Sequence, residues 1–239
     1  MSISSKIRNL VLKFGVEINR YNPLQSNDSR MINLLKHNQI NLVVDVGAND
    51  GGYASYLRSI GYEGKIISFE PLFDAHEKLK NRAVNDKNWF VAPRSAVGNF
   101  DGEITINVSS NSVSSSILKI EAAHVEACLT SSYKAKENCS IIKLDSFKHE
   151  SLTPDSNIFL KIDTQGYEHF VLEGASEFLK KAKGVQIEMS LIYLYEGQKL
   201  YFELTSMLMS SGFTLWNVVP GFSEPKTGRM LQIDGVFFK

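Results

Sequence analysis

Residues 42–52 read LVVDVGANDGG, a short apolar segment that runs directly into a glycine-rich turn. The valines favour a β-strand, and the glycines after them favour a turn that a ligand or another backbone can approach closely. From here the period of the apolar residues alternates between strand and helix, with short connections. The pattern predicts strands at 42–46, 65–69 and 89–92 and helices at about 52–60 and 72–83. A βαβαβ order of this kind predicts a parallel sheet covered by helices.

The second half of the chain resumes the alternation but ends it differently. Its pattern predicts strands at 158–163 and 185–189, helices at 167–181 and 198–211, and closing strands at 212–219 and 231–239. A closing hairpin in place of another crossover predicts an α/β, doubly wound sheet whose last strand is inserted antiparallel. Residues 98–157 interrupt the alternation with a serine-rich run, which is interpreted either as a solvated loop or as a lid over a ligand.

Composition narrows the class of protein. Apolar residues make up 43% of the 239-residue chain, enough for a sizeable core, and 26 Lys and Arg balance 26 Asp and Glu, which argues against nucleic acid as a partner. Cys128 and Cys139 have neither zinc-site spacing nor the density of a disulfide scaffold. No segment reaches the roughly 20 apolar residues of a membrane span, and no signal-peptide pattern is found. We therefore expect a cytoplasmic protein without a transmembrane segment.

The expected organisation is a single domain over 41–239, with 98–157 inserted in it and helices over 1–40 in front of it. Between residues 3 and 18, apolar side chains recur at helical spacing with lysines and arginines among them. Such a helix packs on its own domain, packs on a second copy of the chain in a homodimer, or lies peripherally on an anionic membrane surface. Packing against protein is the commoner outcome.

The ends of the first two strands carry the residue types of a ligand site. In open α/β sheets, ligands bind at the carboxyl ends of the strands. Asn49 stands where the dinucleotide fingerprint needs a glycine, and Asp45 and Asp50 would repel a pyrophosphate, so NAD fits poorly. Glu70 ends the second strand, where a carboxylate can accept hydrogen bonds from both ribose hydroxyls. S-adenosylmethionine, a nucleoside with a sulfonium cation and no pyrophosphate, satisfies both observations.

Taken in their order and spacing, several segments resemble the FkbM-type family of S-adenosylmethionine-dependent methyltransferases. The segments are DVGANDGGY, SFEP, SAVGNFDGE, SVSSSIL, IIKLDSF, LKIDTQGYEHFVLEGA, QIEMSLIYLYEGQ and TGRMLQIDGVFF. The resemblance implies the class I methyltransferase fold, a Rossmann-like seven-stranded sheet of order 3-2-1-4-5-7-6 with an antiparallel last strand. It also implies the cofactor contacts: the methionine part lies among Asp45, Gly47, Asn49 and Gly51, the ribose binds Glu70, and the adenine lies by Ser95 and Ala96.

Asp163 ends the fourth strand of such a sheet, which places it beside the transferred methyl group in this architecture. It can act as a general base, as a positioning residue for the acceptor, or with Glu188 as a ligand of a divalent cation. Gln165, Glu168 and Glu188 are further candidates for binding a polyhydroxyl acceptor, although Glu168 can instead favour the positive end of a helix dipole. Tyr195 either stacks on a sugar face or packs in the core.

These observations predict an O-methyltransferase that uses S-adenosylmethionine and acts on a hydroxyl of a sugar, glycan or related metabolite. The small-molecule or glycan acceptor follows from the resemblance alone. One alternative is a nucleotide-dependent oxidoreductase, against which the glycine spacing argues. The other is a non-catalytic nucleoside-binding or scaffold protein, against which the combination of Asp45, Glu70 and Asp163 argues.

Overall fold

The computed structural model describes residues 10–16, 22 and 26–239, so much of the helix expected over 3–18, and its proposed contacts, lie outside the described residues. The described strands are β1 (Leu42–Val46), β2 (Lys65–Phe69), β3 (Trp89–Val91), β4 (Ser95–Val97), β5 (Gly102–Ser109), β6 (Tyr133–Ile142), β7 (Ile158–Ile162), β8 (Ala182–Ser190), β9 (Thr214–Pro220) and β10 (Gln232–Phe238). Seven of them form one sheet of order β3-β2-β1-β7-β8-β10-β9. β10 runs antiparallel to both of its neighbours, β8 and β9, and the other neighbouring strands of this sheet pair in parallel. Counted along this sheet alone, the order is 3-2-1-4-5-7-6, which confirms the predicted fold class.

Helices cover both faces of the large sheet. The described helices span Asn27–His37, Gly52–Ser59, Phe73–Ala83, Ala122–Ala127, Glu168–Glu173, Ser176–Lys181 and Tyr201–Ser210, and of these Ala122–Ala127 belongs to the inserted region. On β1, Val43 belongs to the apolar cluster formed with the first two of these helices, and Val44 belongs to the cluster on the opposite face. Because neighbouring side chains on a strand point to opposite faces, both faces of the sheet are filled. No described helix is long and apolar enough to cross a membrane.

The helix predicted over 167–181 is two helices, separated at Gly174 and Ala175. A Cβ atom on Gly174 would lie 1.8 Å from the carbonyl oxygen of Gly98. The chain therefore packs backbone against backbone at this point, which only glycine permits. This long-range contact breaks the helical run, although the periodicity of the sequence continues through it.

Residues 98–157 contain most of a second, three-stranded sheet of order β4-β6-β5. In it β5 pairs antiparallel and β4 pairs parallel with β6. The interpretation of the serine-rich run as a solvated loop holds only in part, because Ser110 and Ser112 are exposed but Ser109, Ser114 and Ser116 are buried. Their hydroxyl groups make hydrogen bonds within the domain, as described below for the site.

Candidate active site

A cavity of about 320 Å³ opens at the carboxyl ends of β1, β2, β7 and β8, and the serine-rich segment 111–117 lines its other side. Eight of the residues expected in the site line this cavity: Gly47, Asn49, Glu70, Ser95, Ala96, Asp163, Gln165 and Glu188. The other four expected residues, Asp45, Gly51, Glu168 and Tyr195, do not line it. The topology thus brings together strand ends that are more than a hundred residues apart in the sequence.

The turn after β1 depends on residues with left-handed backbone conformations. The φ angles are +81° at Gly47, +47° at Asn49 and +87° at Gly51. A Cβ atom on Gly47 would lie 1.8 Å from the backbone oxygen of Asp163. The first glycine therefore allows the turn to lie directly against the end of β7.

Glu70 fixes this turn from the neighbouring strand. The backbone N–H of Asn49 donates to Oε2 of Glu70 and that of Leu72 donates to Oε1, each at 2.8 Å. Burial raises the pKa of Glu70 to about 7, although both hydrogen bonds act in the opposite direction. The carboxylate is thus held in one orientation at the edge of the cavity. Beside it, Ser95 and Ala96 of β4 line a part of the cavity that also contains Val97 and Ile106.

Four side chains from β8, β10 and the loop after β7 form a polar wall: Asp163, Gln165, Glu188 and Gln232. Gln165 Nε2 donates to Asp163 Oδ1 at 2.9 Å and to Glu188 Oε2 at 2.8 Å. Gln232 Nε2 donates to the same Glu188 oxygen at 2.7 Å. Sequence reasoning missed Gln232, for which the only signal was a polar residue at the start of an apolar strand. It reaches the wall because β10 pairs with β8, where Gln232 lies opposite Ser190.

A buried lysine supports the polar wall from behind. Lys161 Nζ lies 3.0 Å from Asp163 Oδ2, and the lysine side chain is 5% exposed. Burial acts to lower the pKa of Lys161, but the negative charges of Asp163, Asp234 and Asp45 raise it by more. Sequence reasoning missed this residue, although a lysine between apolar residues of a buried strand was a signal.

Asp45 lies next to Lys161 in the sheet, since the two are paired residues of β1 and β7. Burial raises the pKa of Asp45 to about 6, while Lys161 and the nearby Ser68 hydroxyl act to lower it. Neither carboxylate oxygen completes a hydrogen bond with any described residue. Asp45 therefore does not line the cavity, and it contributes its negative charge from beneath the site.

Glu168 and Tyr195 hold the loop of the polar wall from outside the cavity. Glu168 Oε1 accepts hydrogen bonds from the backbone N–H groups of Thr164 and Gly166, at 2.9 and 3.1 Å. The hydroxyl of Tyr195, whose side chain is fully buried, donates to Gln165 Oε1 at 2.8 Å. Gln165 itself has a φ of +55°, so these contacts stabilise an uncommon backbone conformation.

The serine-rich segment borders the cavity and makes hydrogen bonds to the turn after β1 and to the loop after β7. Ser116 Oγ donates to the backbone oxygen of Gln165 at 2.6 Å, and Ser112 Oγ donates to Asn49 Oδ1 at 3.3 Å. Behind it, His124 Nε2 lies 3.5 Å from Ser114 Oγ. Burial lowers the pKa of His124 to about 4, so this imidazole is neutral at physiological pH. His124 also lines the cavity and was not expected from the sequence.

The two candidate metal ligands, Asp163 and Glu188, are joined by the amide of Gln165. Among residues 10–16, 22 and 26–239, no group of three or more His, Cys, Asp or Glu side chains is arranged to hold a metal ion. Burial, together with the charges of Asp163 and Glu168, raises the pKa of Glu188 well above its ordinary value. The structure gives no support for the divalent cation that the sequence allowed.

The solved structures to which this chain is similar share little of its sequence. A search of curated proteins finds no match. One solved structure is magnesium protoporphyrin IX methyltransferase (ChlM) from Synechocystis PCC 6803 with bound SAM, with 10% identity, coverage of 100% of this chain and 98% of that chain, and a TM-score of 0.46. Another is precorrin-6y C5,15-methyltransferase from Geobacter metallireducens GS-15, with 10% identity, 93% coverage of each chain and a TM-score of 0.42. 

A family model identifies the family of this chain, which these distant structures do not. The model of the methyltransferase FkbM domain matches residues 45–215. The match spans the turn after β1, Glu70, and the Asp163, Gln165 and Glu188 side chains of the polar wall. The chain therefore belongs to the family defined by the methyltransferase FkbM domain.

Proposed function

We propose that this methyltransferase transfers a methyl group from S-adenosylmethionine to a hydroxyl group of a sugar, a glycan or a related metabolite. One observation carries the proposal: a single cavity has Glu70 at the end of β2 and the polar wall at the ends of β7 and β8. A nucleoside and a polyhydroxyl acceptor would find suitable partners in the same space. The family resemblance is the basis for the sugar or glycan.

The β1–β2 side of the cavity fits S-adenosylmethionine. Each oxygen of Glu70 accepts one backbone N–H and can accept a further hydrogen bond, so the carboxylate can bind both ribose hydroxyls. Ser95 and Ala96 would lie by the adenine, and the turn at Gly47 and Asn49 would hold the methionine part. The buried Asp45 carboxylate favours a cation at this end. When bound, the sulfonium supplies an electrophilic methyl carbon.

Asp163 is the proposed recipient of the acceptor's proton. A hydroxyl oxygen that forms a bond to carbon must lose its proton, and a positioned carboxylate can accept it. Asp163 lines the cavity, and its two oxygens are held by Gln165 and Lys161. Because these contacts exist before the acceptor binds, the carboxylate needs little reorganisation during the reaction.

A cytoplasmic location is part of the proposal. Cys128 and Cys139 are both free, and Cys139 is buried. Unpaired cysteines are typical of proteins from reducing compartments. Detection of the native protein in a cytosolic fraction, with both thiols reduced, is the expected result.

Calorimetry and two variants test the proposal. The wild-type protein should bind S-adenosylmethionine and its demethylated product at micromolar concentrations and should not bind NAD; the reverse result would favour the oxidoreductase. Glu70→Ala should abolish cofactor binding, whereas Glu63→Ala, at an exposed site before β2, should not. Asp163→Asn should spare cofactor binding and lower turnover by at least about 100-fold. Full turnover by the Asp163 variant would contradict the assigned role.

A further inference from the structure

We infer that the methyl acceptor is neutral or cationic at its reacting end and presents two neighbouring hydrogen-bond donors there, as a vicinal diol or an amino alcohol does. An acceptor with a phosphate or carboxylate at that end would be rejected. This inference rests on the proposed function and adds to it the chemical class of the acceptor.

The first observation is the charge of the cavity. Its lining contains the carboxylates of Glu70, Asp163 and Glu188, and no Lys or Arg among the described residues. The buried Lys161 contacts Asp163 from behind and does not line the cavity. His124 is neutral because burial lowers its pKa to about 4. An anionic acceptor would therefore lose its hydration without gaining a counter-charge, and like charges at such a contact are strongly unfavourable.

The second observation is the direction of the hydrogen bonds in the polar wall. Gln165 uses its amide N–H groups on Asp163 and Glu188. Gln232 directs its amide to Glu188 at 2.7 Å and to Ser190 Oγ at 3.5 Å. Tyr195 donates its hydroxyl to Gln165. The side-chain donors of the wall are thus engaged within the protein, and what the wall offers to an acceptor is oxygen lone pairs.

The third observation is which carboxylate oxygens of the polar wall remain free to accept a hydrogen bond. Both amides donate to Oε2 of Glu188, and no described residue donates to its Oε1. Asp163 accepts one hydrogen bond on each oxygen and has capacity for more. A single nitrogen of Gln165 bridges the two carboxyl groups, so they lie close enough to accept from donors on adjacent carbons. The raised pKa of Glu188 makes this wall less negative and never positive, and Oε1 of Glu188 accepts a hydrogen bond from the methyl acceptor only while Glu188 is ionised.

Sugar acceptors that differ in charge within each series test the inference. Methyl glucoside, methyl glucosaminide and the methyl glycoside of glucuronic acid are assayed with S-adenosylmethionine, together with their galactose and mannose counterparts. We expect the neutral or amino member of at least one series to have a kcat/KM at least about tenfold above that of its uronic acid. A uronic acid that is methylated as well as its neutral counterpart would overturn the inference but leave the proposed function intact. If the cofactor binds and no member is methylated, the sugar proposal fails and this inference fails with it.

A change of charge on the wall gives a second test. Gln232→Lys introduces a cation beside Glu188, and we expect the ratio of uronic acid to neutral kcat/KM to rise at least about fivefold. Gln232→Met, which removes the amide without adding charge, should leave the ratio unchanged even if both rates fall. Cofactor binding by each variant verifies that it is folded. An equal effect of both substitutions would show that the charge of the wall does not select the acceptor.

Discussion

Among single residues, Lys161 balances the acidic side chains beneath the site. Its ammonium group is buried, lies 3.0 Å from Asp163 Oδ2 and is 5.3 Å from the centre of the Tyr53 ring. Asp45 and Asp234 also act on it, as the raised pKa of the lysine shows. Removing one member of a buried ionic group leaves uncompensated charge, which is more costly than losing a surface ion pair.

We predict that Lys161→Met lowers the free energy of unfolding at pH 7 by roughly 3 to 5 kcal/mol, measured by urea denaturation. Lys199→Met is the matched control, because Lys199 lies just before the helix Tyr201–Ser210 and pairs with Glu203 at 3.2 Å, with both side chains partly exposed. That pair should contribute about 0.5 kcal/mol at most. Similar losses for both variants would mean that Lys161 does not hold the buried carboxylates.

At the level of elements, the turn after β1 packs directly against the end of β7. Gly47 combines a φ of +81° with a Cβ position 1.8 Å from the backbone oxygen of Asp163. Gly61 has a φ of +91°, and a Cβ atom there would meet nothing within 4 Å. Alanine substitutions at these two glycines therefore distinguish the energetic cost of a left-handed backbone conformation from that of a clash with the backbone.

We predict that Gly61→Ala costs about 1 to 2 kcal/mol of stability and leaves cofactor binding unchanged, since only the backbone conformation is strained. Gly47→Ala should cost more and should also abolish binding, because the turn must move away from the end of β7. Thermal unfolding and calorimetry on both variants measure the two effects. If Gly47→Ala binds the cofactor with wild-type affinity, the close packing of the turn on Asp163 is not needed for the site.

Elements whose apolar residues recur with a clear period were predictable from the sequence. Features that depend on contacts between distant parts of the chain were not. The β1, β2 and β7 strands are short apolar runs bounded by turns, and Glu70 and Asp163 could be placed because they end such runs. Serine burial was not predictable, since the partner of Ser116 is the backbone of Gln165, 49 residues away. The same applies to Gln232, which reaches the site because β10 pairs with β8. Lys161 did carry a signal, a lysine within an apolar strand, but its pairing with Asp45 of β1 is visible only in the structure.

At the scale of the whole molecule, buried carboxyl groups determine how stability changes with pH. Burial raises the pKa of Asp45 to about 6 and those of Glu70 and Glu168 to about 7, from 3.8 and 4.5. The folded state therefore holds more protons on these groups, so their contribution to stability falls as pH rises towards the folded-state pKa values. His124 acts oppositely: its pKa falls from 6.5 to about 4, so its contribution rises with pH over that range.

The raised pKa values of these three carboxyl groups change the stability more than the lowered pKa of His124 does. We therefore predict that the unfolding free energy of the cofactor-free protein decreases by on the order of 3 kcal/mol from pH 5 to pH 7. Urea denaturation at half-unit intervals of pH measures this slope. Glu168→Gln keeps a side-chain oxygen for the N–H groups of Thr164 and Gly166 but cannot titrate, and should flatten the slope. Glu177→Gln, at an exposed site, should not change it. Stability that rises between pH 5 and pH 7 would show that burial does not raise the pKa values of these carboxyl groups above those of the unfolded chain.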